Sequence, residues 1–418
     1  MGSRQPDSLG AAHRRALFRA HVLENEMLRG GIELGIGFFG ERLSFEAAPP
    51  LRLLFLEGSK TDGKKVRALL QAAQEVQLAL DDDEYLVLLL GYEAQVALHE
   101  GWPRHMPQKK LGPDAAMWRL KKGERVVEIL ERAKQKLGGA RALFTTSKAK
   151  KEHEKRVGFC LESLFAGALY QANLAHALRV PQADFLDGVA FYDEHAQASF
   201  SAFVDVQGWG SLVSLSPECF FRMNLVERWV RAYPIKGTVP RGESDEEDAL
   251  RIRELQESKK DAAEHLMIVD LMRNDLGQVA RKSGVSIEEL MRVVPVKNVY
   301  HLESVVRGDL REDVELAEIL TALSPGGSIT GAPKSSAVEV IHQLEAGARG
   351  PYTGMLGVVN AKGEGAFSIL IRTWLRPDVG DGNLHVGGGV VVNSTPEKEW
   401  EETLHKAAAF GDVTCSVE

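Results

Sequence analysis

Two segments with helical spacing each carry acidic residues three apart: Asp261 and Glu264 within 259–275, and Glu399 and Glu402 after Pro396. Residues three apart share a helix face, and two carboxylate pairs on separate helices can clamp a hard divalent ion such as Mg2+. Acids at this spacing also line ordinary solvated faces, so spacing alone leaves both readings open. Lys406 lies one turn beyond Glu402, and Ser394 with Glu397 predicts a capping box at the start of that helix. Earlier in the chain, Glu218 ends the segment Ser-Leu-Ser-Pro-Glu and Lys236 sits in Pro-Ile-Lys-Gly-Thr, each predicted at a strand end. Brought together, such a carboxylate and amine can act as general acid and nucleophile; exposed turn residues are the other reading.

Three further segments suit an anion. The run from Ser324 to Lys334, Ser-Pro-Gly-Gly-Ser-Ile-Thr-Gly-Ala-Pro-Lys, precedes a predicted amphipathic helix to about Leu344. Free N–H groups at such a helix start make an anion pocket, against a plain glycine-rich turn. Gly326 and Gly331 have P-loop spacing, but Ala332 and Pro333 intervene before Lys334, which excludes a nucleotide P-loop. Arg372, in the predicted strand 366–373, is costly to bury unless it meets an anion or a structural salt bridge. Gly387, Gly388 and Gly389 enter an apolar strand, which predicts close backbone approach by a ligand, or a bulge.

The elements that must position these groups alternate irregularly. Helical spacing covers 66–79, 157–177 and 259–276, and the basic run 148–156 predicts the solvated opening of a helix. Strand-like runs fall at 51–56, 85–90, 198–206, 211–215, 229–234, 355–360, 366–373 and 385–392, while 104–125 reads as an exposed excursion. No strict βαβ rhythm is present, so the expected fold class is α+β: one large unit with mainly antiparallel β-sheets packed on helices.

Composition excludes several classes. A net charge of −8, from 51 basic and 59 acidic residues spread along the chain, argues against nucleic acid as a partner. Three distant cysteines (Cys160, Cys219, Cys415) make neither a zinc site nor a disulfide framework, and predict reduced thiols in the cytoplasm. The basic residues 1–20 lack an apolar core for a secretion signal, and the 85–91 run is too short for a membrane span.

In order, Ser-Pro-Glu218, Pro-Ile-Lys236-Gly-Thr, the run 261–277 (Asp-Ala-Ala-Glu-His-Leu-Met-Ile-Val-Asp-Leu-Met-Arg-Asn-Asp-Leu-Gly), Gly-Gly-Ser-Ile-Thr-Gly-Ala-Pro-Lys334 and Glu-Trp-Glu-Glu-Thr-Leu-His-Lys406 resemble the chorismate-binding enzymes. That family includes anthranilate, aminodeoxychorismate, isochorismate and salicylate synthases. The resemblance covers about 157–410. It implies a catalytic region over 151–418 and a loosely matching N-terminal region over 1–150, chiefly at Gly91-Tyr92-Glu93. It implies that Glu264 and Glu402 hold Mg2+, with Asp261 and Glu399 beside them, and that the metal holds the ring carboxylate of chorismate. Arg372 and Tyr352 then hold the enolpyruvyl group, Lys406, Gly387 and Gly389 line the carboxylate end, and His301 covers the ring. Gln171, Gly237, Thr238 and Thr330 complete the substrate pocket, and Glu218 protonates the departing C4 hydroxyl.

Two positions bear on the branch of the family. Water-adding isochorismate and salicylate synthases resemble one another in a lysine base where this chain has Gln171, and glutamine cannot deprotonate water. Anthranilate synthases carry alanine in place of Lys236; the lysine resembles that of the aminodeoxychorismate synthases, where it attacks C2 before ammonia enters at C4. None of the cysteines sits in a glutaminase nucleophile elbow; the resemblance implies a separate glutamine amidotransferase as the ammonia source, with free ammonia as the alternative. The alternatives are component I of an anthranilate synthase and a non-catalytic chorismate-binding subunit. Asn393, Thr395, Cys219 and Ala168 depart from the family pattern without removing a catalytic group.

Overall fold

A computed structural model describes residues 32–34, 38–39, 43–45, 52–56, 62–105, 114–122, 142–181, 188–192, 198–206, 210–296, 299–377 and 380–416. Residues 1–20, read above for a targeting signal, lie outside them, as do 106–113 and 123–125 of the expected excursion.

Two ten-stranded sheets are built from the described residues. The first begins with β1 (Ile32–Leu34), β2 (Leu43–Phe45), β6 (Ala142–Thr146), β7 (Gln171–Val180) and β8 (Phe200–Val206). It continues with β9 (Gly210–Ser216), β15 (Gly331–Ala332), β18 (Thr373–Pro377), β19 (Gly382–Val390) and β20 (Asp412–Ser416). Its order is β2-β1-β8-β9-β18-β19-β7-β6-β20, with β15 on β7; only the β20–β6 pair is parallel. The second holds β3 (Arg52–Leu56), β4 (Glu84–Leu90), β5 (Ala115–Lys121), β10 (Cys219–Asn224) and β11 (Trp229–Ala232). Its other strands are β12 (Ile235–Pro240), β13 (Ala280–Val296), β14 (Val299–Leu310), β16 (Met355–Asn360) and β17 (Glu364–Ile369). They run in the order β12-β14-β11-β10-β17-β16-β4-β5-β3, with β13 on β14, all antiparallel.

The helices are α1 (Gly63–Leu78), α2 (Tyr92–Ala97), α3 (Ser147–Phe165) and α4 (Asp245–Glu257). After them come α5 (Lys259–Gly277), α6 (Leu316–Leu323), α7 (Lys334–Leu344) and α8 (Pro396–Ala407). Alternation along the strands shows how the layers stack. Val87 and Leu89 of β4 face Phe200, Ala202 and Leu212 of the other sheet, forming the core between the sheets. Leu86, Leu88 and Leu90 face outwards onto α1, α5 and α6. The far face of the first sheet buries Leu174 and Val390 under Val157 and Cys160 of α3 and Val338 and Ile341 of α7. The expected α+β unit is therefore observed, as a sandwich of two sheets with helices on both outer faces.

Several sequence expectations need correction. The helix read over 157–177 ends at Phe165, and a positive φ at Gly167 turns the chain into β7. Gln171 to His176 are buried without alternation because β7 lies inside the sheet, so neither face leaves a polar signature. The single strand read over 366–373 is two, β17 and β18, in different sheets. The expected exposed excursion contains β5, whose residues Ala115–Trp118 are fully buried. At α8 the cap is Thr395, whose hydroxyl accepts from Lys398 N; Ser394 accepts from Val391 N instead.

Candidate active site

Two strand pairs change sheets side by side, and the candidate site lies at that seam. β9 pairs with β18 in the first sheet and β10 with β17 in the second. The chain crosses between sheets at Pro217-Glu218 and again at Leu370–Arg372. The two crossings are tied by Leu215 N donating to Arg372 O at 2.9 Å. Arg372 is thus at a break rather than inside a strand, with φ of +50°. A non-glycine residue there costs about 1 kcal/mol or more. Among the described residues its guanidinium makes no ion pair with a carboxylate, so the structural salt bridge is not found. Burial lowers its pKa, with the Glu218 charge acting the other way.

Glu218 is half-buried, and Ser328 Oγ donates to its Oε1 at 3.3 Å. Burial pushes its carboxyl up to about 7, against the Ser328 hydrogen bond and the charges of Arg372 and Lys236. A carboxylic acid with this pKa can hold a proton near neutrality and give it to a leaving group.

Lys236 and Gly237 form a bulge in β12, where the register with β14 slips between Ile235 and Thr238. Gly237 has φ of +90°, and a Cβ there would press on Leu255, Asp261 and Leu302 at 3.2–3.4 Å. Bulges re-aim side chains, and here Lys236 Nζ is 3.0 Å from Glu264 Oε2 on α5. Beyond the bulge, Thr238 Oγ1 and His301 Nδ1 are 2.7 Å apart. Burial lowers the pKa of His301, with Arg372 adding to the effect.

α8 places Glu399 and Glu402 against the backbone of β19. A Cβ at Gly388 would stand 2.8 Å from Glu399 Oε2 and 3.5 Å from Glu402 Oε1, so this glycine opens room for both carboxylates. Glu399 is buried, its Oε2 has no hydrogen-bond partner, and burial raises its pKa. For Glu402 burial also acts upwards, but Lys406 Nζ at 2.6 Å brings the pKa below the usual carboxylate range. Lys406 also donates to Gly387 O at 2.8 Å. The Lys236 charge bears on both glutamates. Asp261 is turned to its own helix start, where the Ser258 hydroxyl donates to it. Among the described residues no three His, Cys, Asp or Glu side chains are grouped to hold a metal ion as they stand. The donors nonetheless suit a hard cation: Glu399, with an orphaned buried oxygen, and Glu402 share a cradle that a Cβ would fill, and Lys236 links Glu264 to them through its charge.

Most of the remaining candidate residues are buried. Gln171 and Thr330 are buried, and Gln171 Oε1 and Thr330 Oγ1 lack partners. Tyr352 is buried and stacked on His385 with centroids 5.4 Å apart. Gly387 and Gly389 let β19 lie close to β7 and the Gln171 side chain. Behind them stands Arg349, which sequence reading missed. Its guanidinium donates to Asn173 O (2.6 Å), Ile329 O (3.1 Å), Thr353 Oγ1 (3.2 Å) and both oxygens of Glu345. Glu93, from the N-terminal region, accepts from Arg349 N and Gly350 N at 2.7 and 2.9 Å. Ser328 was also missed as a site residue, though it lies inside a quoted motif.

The chorismate binding enzyme family matches residues 35–412. This chain belongs to that family. Among its relatives, anthranilate synthase component 1 1 of Haloarcula marismortui is 38% identical over 272 residues, 64% of this chain and 54% of that protein. Aminodeoxychorismate synthase component 1 of Escherichia coli is 40% identical over 246 residues, 59% of this chain and 53% of that protein. The matches thus span about half the length of these curated relatives. Anthranilate synthase component I from Streptococcus pneumoniae shares the fold with a TM-score of 0.68 at 20% identity, covering 92% of each chain. The menaquinone-specific isochorismate synthase from Escherichia coli does so with a TM-score of 0.64 at 18% identity, covering 94% of this chain and 90% of that one. No helix among the described residues is long and apolar enough to cross a membrane.

Proposed function

We propose that this member of the chorismate-binding family acts as component I of an aminodeoxychorismate synthase. In this reading it converts chorismate and ammonia to 4-amino-4-deoxychorismate and water, for 4-aminobenzoate and folate synthesis. One observation carries the reading: Lys236 sits among Glu264, Glu399, Glu402 and Glu218, an amine within the electrostatic reach of both the candidate metal ligands and the candidate acid.

Glu264 and Glu402 would hold Mg2+, with Glu399 and Asp261 near, and the bound ion would supply positive charge to the ring carboxylate. Lys406 and the backbone at Gly387 and Gly389 face that end. Arg372, at the sheet crossing and free of ion pairs among the described residues, takes the enolpyruvyl carboxylate with Tyr352. Lys236, after giving a proton to solvent, forms a bond to C2, the ring double bonds shift, and the C4 hydroxyl leaves as water with the proton of Glu218. Ammonia then bonds to C4, the electrons return, the C2–nitrogen bond breaks, and Glu218 regains its proton from the added ammonium. A separate glutamine amidotransferase subunit would supply the ammonia.

The test is the purified chain with chorismate, Mg2+ and ammonium at mildly alkaline pH, its product identified by mass and chromatography. 4-Amino-4-deoxychorismate is expected, together with a chorismate-derived adduct on Lys236 when ammonia is withheld. Anthranilate synthase component I is the second reading, favoured by relatives of similar identity; anthranilate as product would decide for it. Lys236→Ala should be slow, with residual product shifted towards C2-substituted compounds.

A further inference from the structure

We infer that Lys236 is a built-in cation that holds Glu264 until a divalent metal displaces it, so that metal binding and release of the Lys236 amine are one exchange. The inference rests on the reading that Glu264 and Glu402 are metal ligands, and adds that the nucleophile and the metal compete for the same carboxylate.

The geometry of Glu264 is the starting point. Lys236 Nζ lies 3.0 Å from Oε2, and Lys260, one turn earlier on α5, lies 3.8 Å from Oε1. The Lys236–Glu264 pair is shielded, with the side chains 27% and 15% exposed, whereas Lys260 is 65% exposed and poorly placed to compete. The Lys236 charge also reaches Glu399 and Glu402. One ammonium therefore serves three carboxylates, as a divalent ion would. Glu264 Oε2, an oxygen that a metal would use, already accepts from the Lys236 ammonium. A second cation beside the same oxygen would be repelled by the first, most strongly where water is excluded.

The backbone is arranged for the side chain alone to move. The Lys236 carbonyl accepts from His265 Nδ1 at 3.3 Å, His265 Nε2 lies 2.6 Å from Ser304 Oγ, and Ser304 Oγ accepts from Met291 N at 2.9 Å. With Nδ1 donating, the hydroxyl of Ser304 donates to Nε2, and every polar group in the chain is satisfied. β12 is thus pinned to α5 and β14, while the flexible four-carbon stem of the lysine can swing. In the metal-free protein the amine is latched to Glu264. Once a metal takes that carboxylate, the ammonium has lost its partner, can give its proton to solvent, and can turn to the substrate as an amine.

Binding of Mn2+, followed by its electron paramagnetic resonance signal without chorismate, tests the exchange. The variants are Lys236→Met, Lys236→Arg and Glu264→Gln. Lys236→Met should bind Mn2+ about 10-fold more tightly than the wild type, the scale of one shielded charge pair. Lys236→Arg, which keeps the charge, should stay near the wild type, and Glu264→Gln should lose the site. Equal or weaker binding by Lys236→Met, in a wild type that does bind, overturns the exchange and leaves the metal reading standing. Equal tightening by Lys236→Arg overturns it too, because packing rather than charge would then be at work. No Mn2+ binding by either the wild type or Lys236→Met, or wild-type binding by Glu264→Gln, fails the metal reading itself and the exchange with it.

Discussion

The two sides of the candidate site are built on opposite principles. On one, Glu264, Glu402, Lys236 and Lys406 form partly exposed pairs on long side chains, and the buried Glu399 keeps an unpartnered oxygen. On the other, Arg349 is 1% exposed, and its hydrogen bonds gather β7, the 324–334 loop and the 349–353 turn around one guanidinium. Charges that must change partners are left reachable. Charges that must not move are sealed and saturated, because a buried ion with an unsatisfied donor would cost several kcal/mol. The N-terminal region joins the fixed side: Glu93 caps the backbone at Arg349 and Gly350, and Tyr92 stacks on the guanidinium at 4.5 Å.

The contrast is sharpest where function and stability separate. Glu264→Gln and Glu402→Gln are expected to abolish turnover while shifting Tm by only a few degrees, since Glu402 sits in a half-exposed pair and a glutamine at 264 can still accept from Lys236. Chorismate turnover at limiting and saturating Mg2+, alongside thermal melts, reads both quantities. Near-normal turnover at limiting Mg2+ would remove the exchangeable side from the mechanism.

Glu218→Gln comes next. It keeps the shape of the group but removes the proton, so kcat should fall about 10²–10⁴-fold with KM little changed. The wild type should also lose kcat as pH rises through about 7, because a general acid works only while protonated. The same sign applies to stability. Burial raises the folded-state pKa of Glu218 and of Glu93 to about 7 in each case, so the stabilising protons are present at low pH and released as pH climbs through that value. A KM effect alone in Glu218→Gln would make the residue a binding group instead.

Arg349→Met should act the other way round. Removing one partner of a buried pair leaves Glu345 uncompensated and typically costs about 3–5 kcal/mol. Denaturant unfolding should show that loss, and Mn2+ affinity measured well below the new Tm should stay near the wild type. A Tm within a degree or two of wild type would mean that the fixed side is held by something other than Arg349.

How much of this could be read from the chain follows the same divide. The paired glutamates, Glu218 and Lys236 announce themselves by residue type and motif. Their placement at a seam between sheets does not: Ala366–Thr373 has no glycine or proline to mark the crossing, and the break at Arg372 is carried by backbone strain alone. β7 passed for helix because an interior strand buried on both faces has no alternation, and its alanines, leucine and glutamine are good helix formers. Arg349 gave no signal, since a lone arginine in Gly-Ala-Arg-Gly looks like a surface loop until the carbonyls it serves are folded around it.

Neighbouring glycines on one strand give the finest test. Gly387 and Gly388 are consecutive in β19, so side chains there would point to opposite faces. A Cβ at Gly388 meets Glu399 Oε2 at 2.8 Å, the far end of a side chain that can shift. One at Gly387 meets Leu174 O at 2.6 Å, backbone of the paired strand that cannot. Gly387→Ala should therefore lose about 1–3 kcal/mol of stability, the usual cost of overpacking. Gly388→Ala should melt nearly as the wild type but bind Mn2+ several-fold more weakly, because Glu399 and Glu402 are displaced from their cradle. Melts and Mn2+ titrations on the two variants measure this directly. If Gly388→Ala loses stability without losing metal affinity, the carboxylates are as fixed as the Arg349 side, and the division between an exchangeable and a fixed side does not hold.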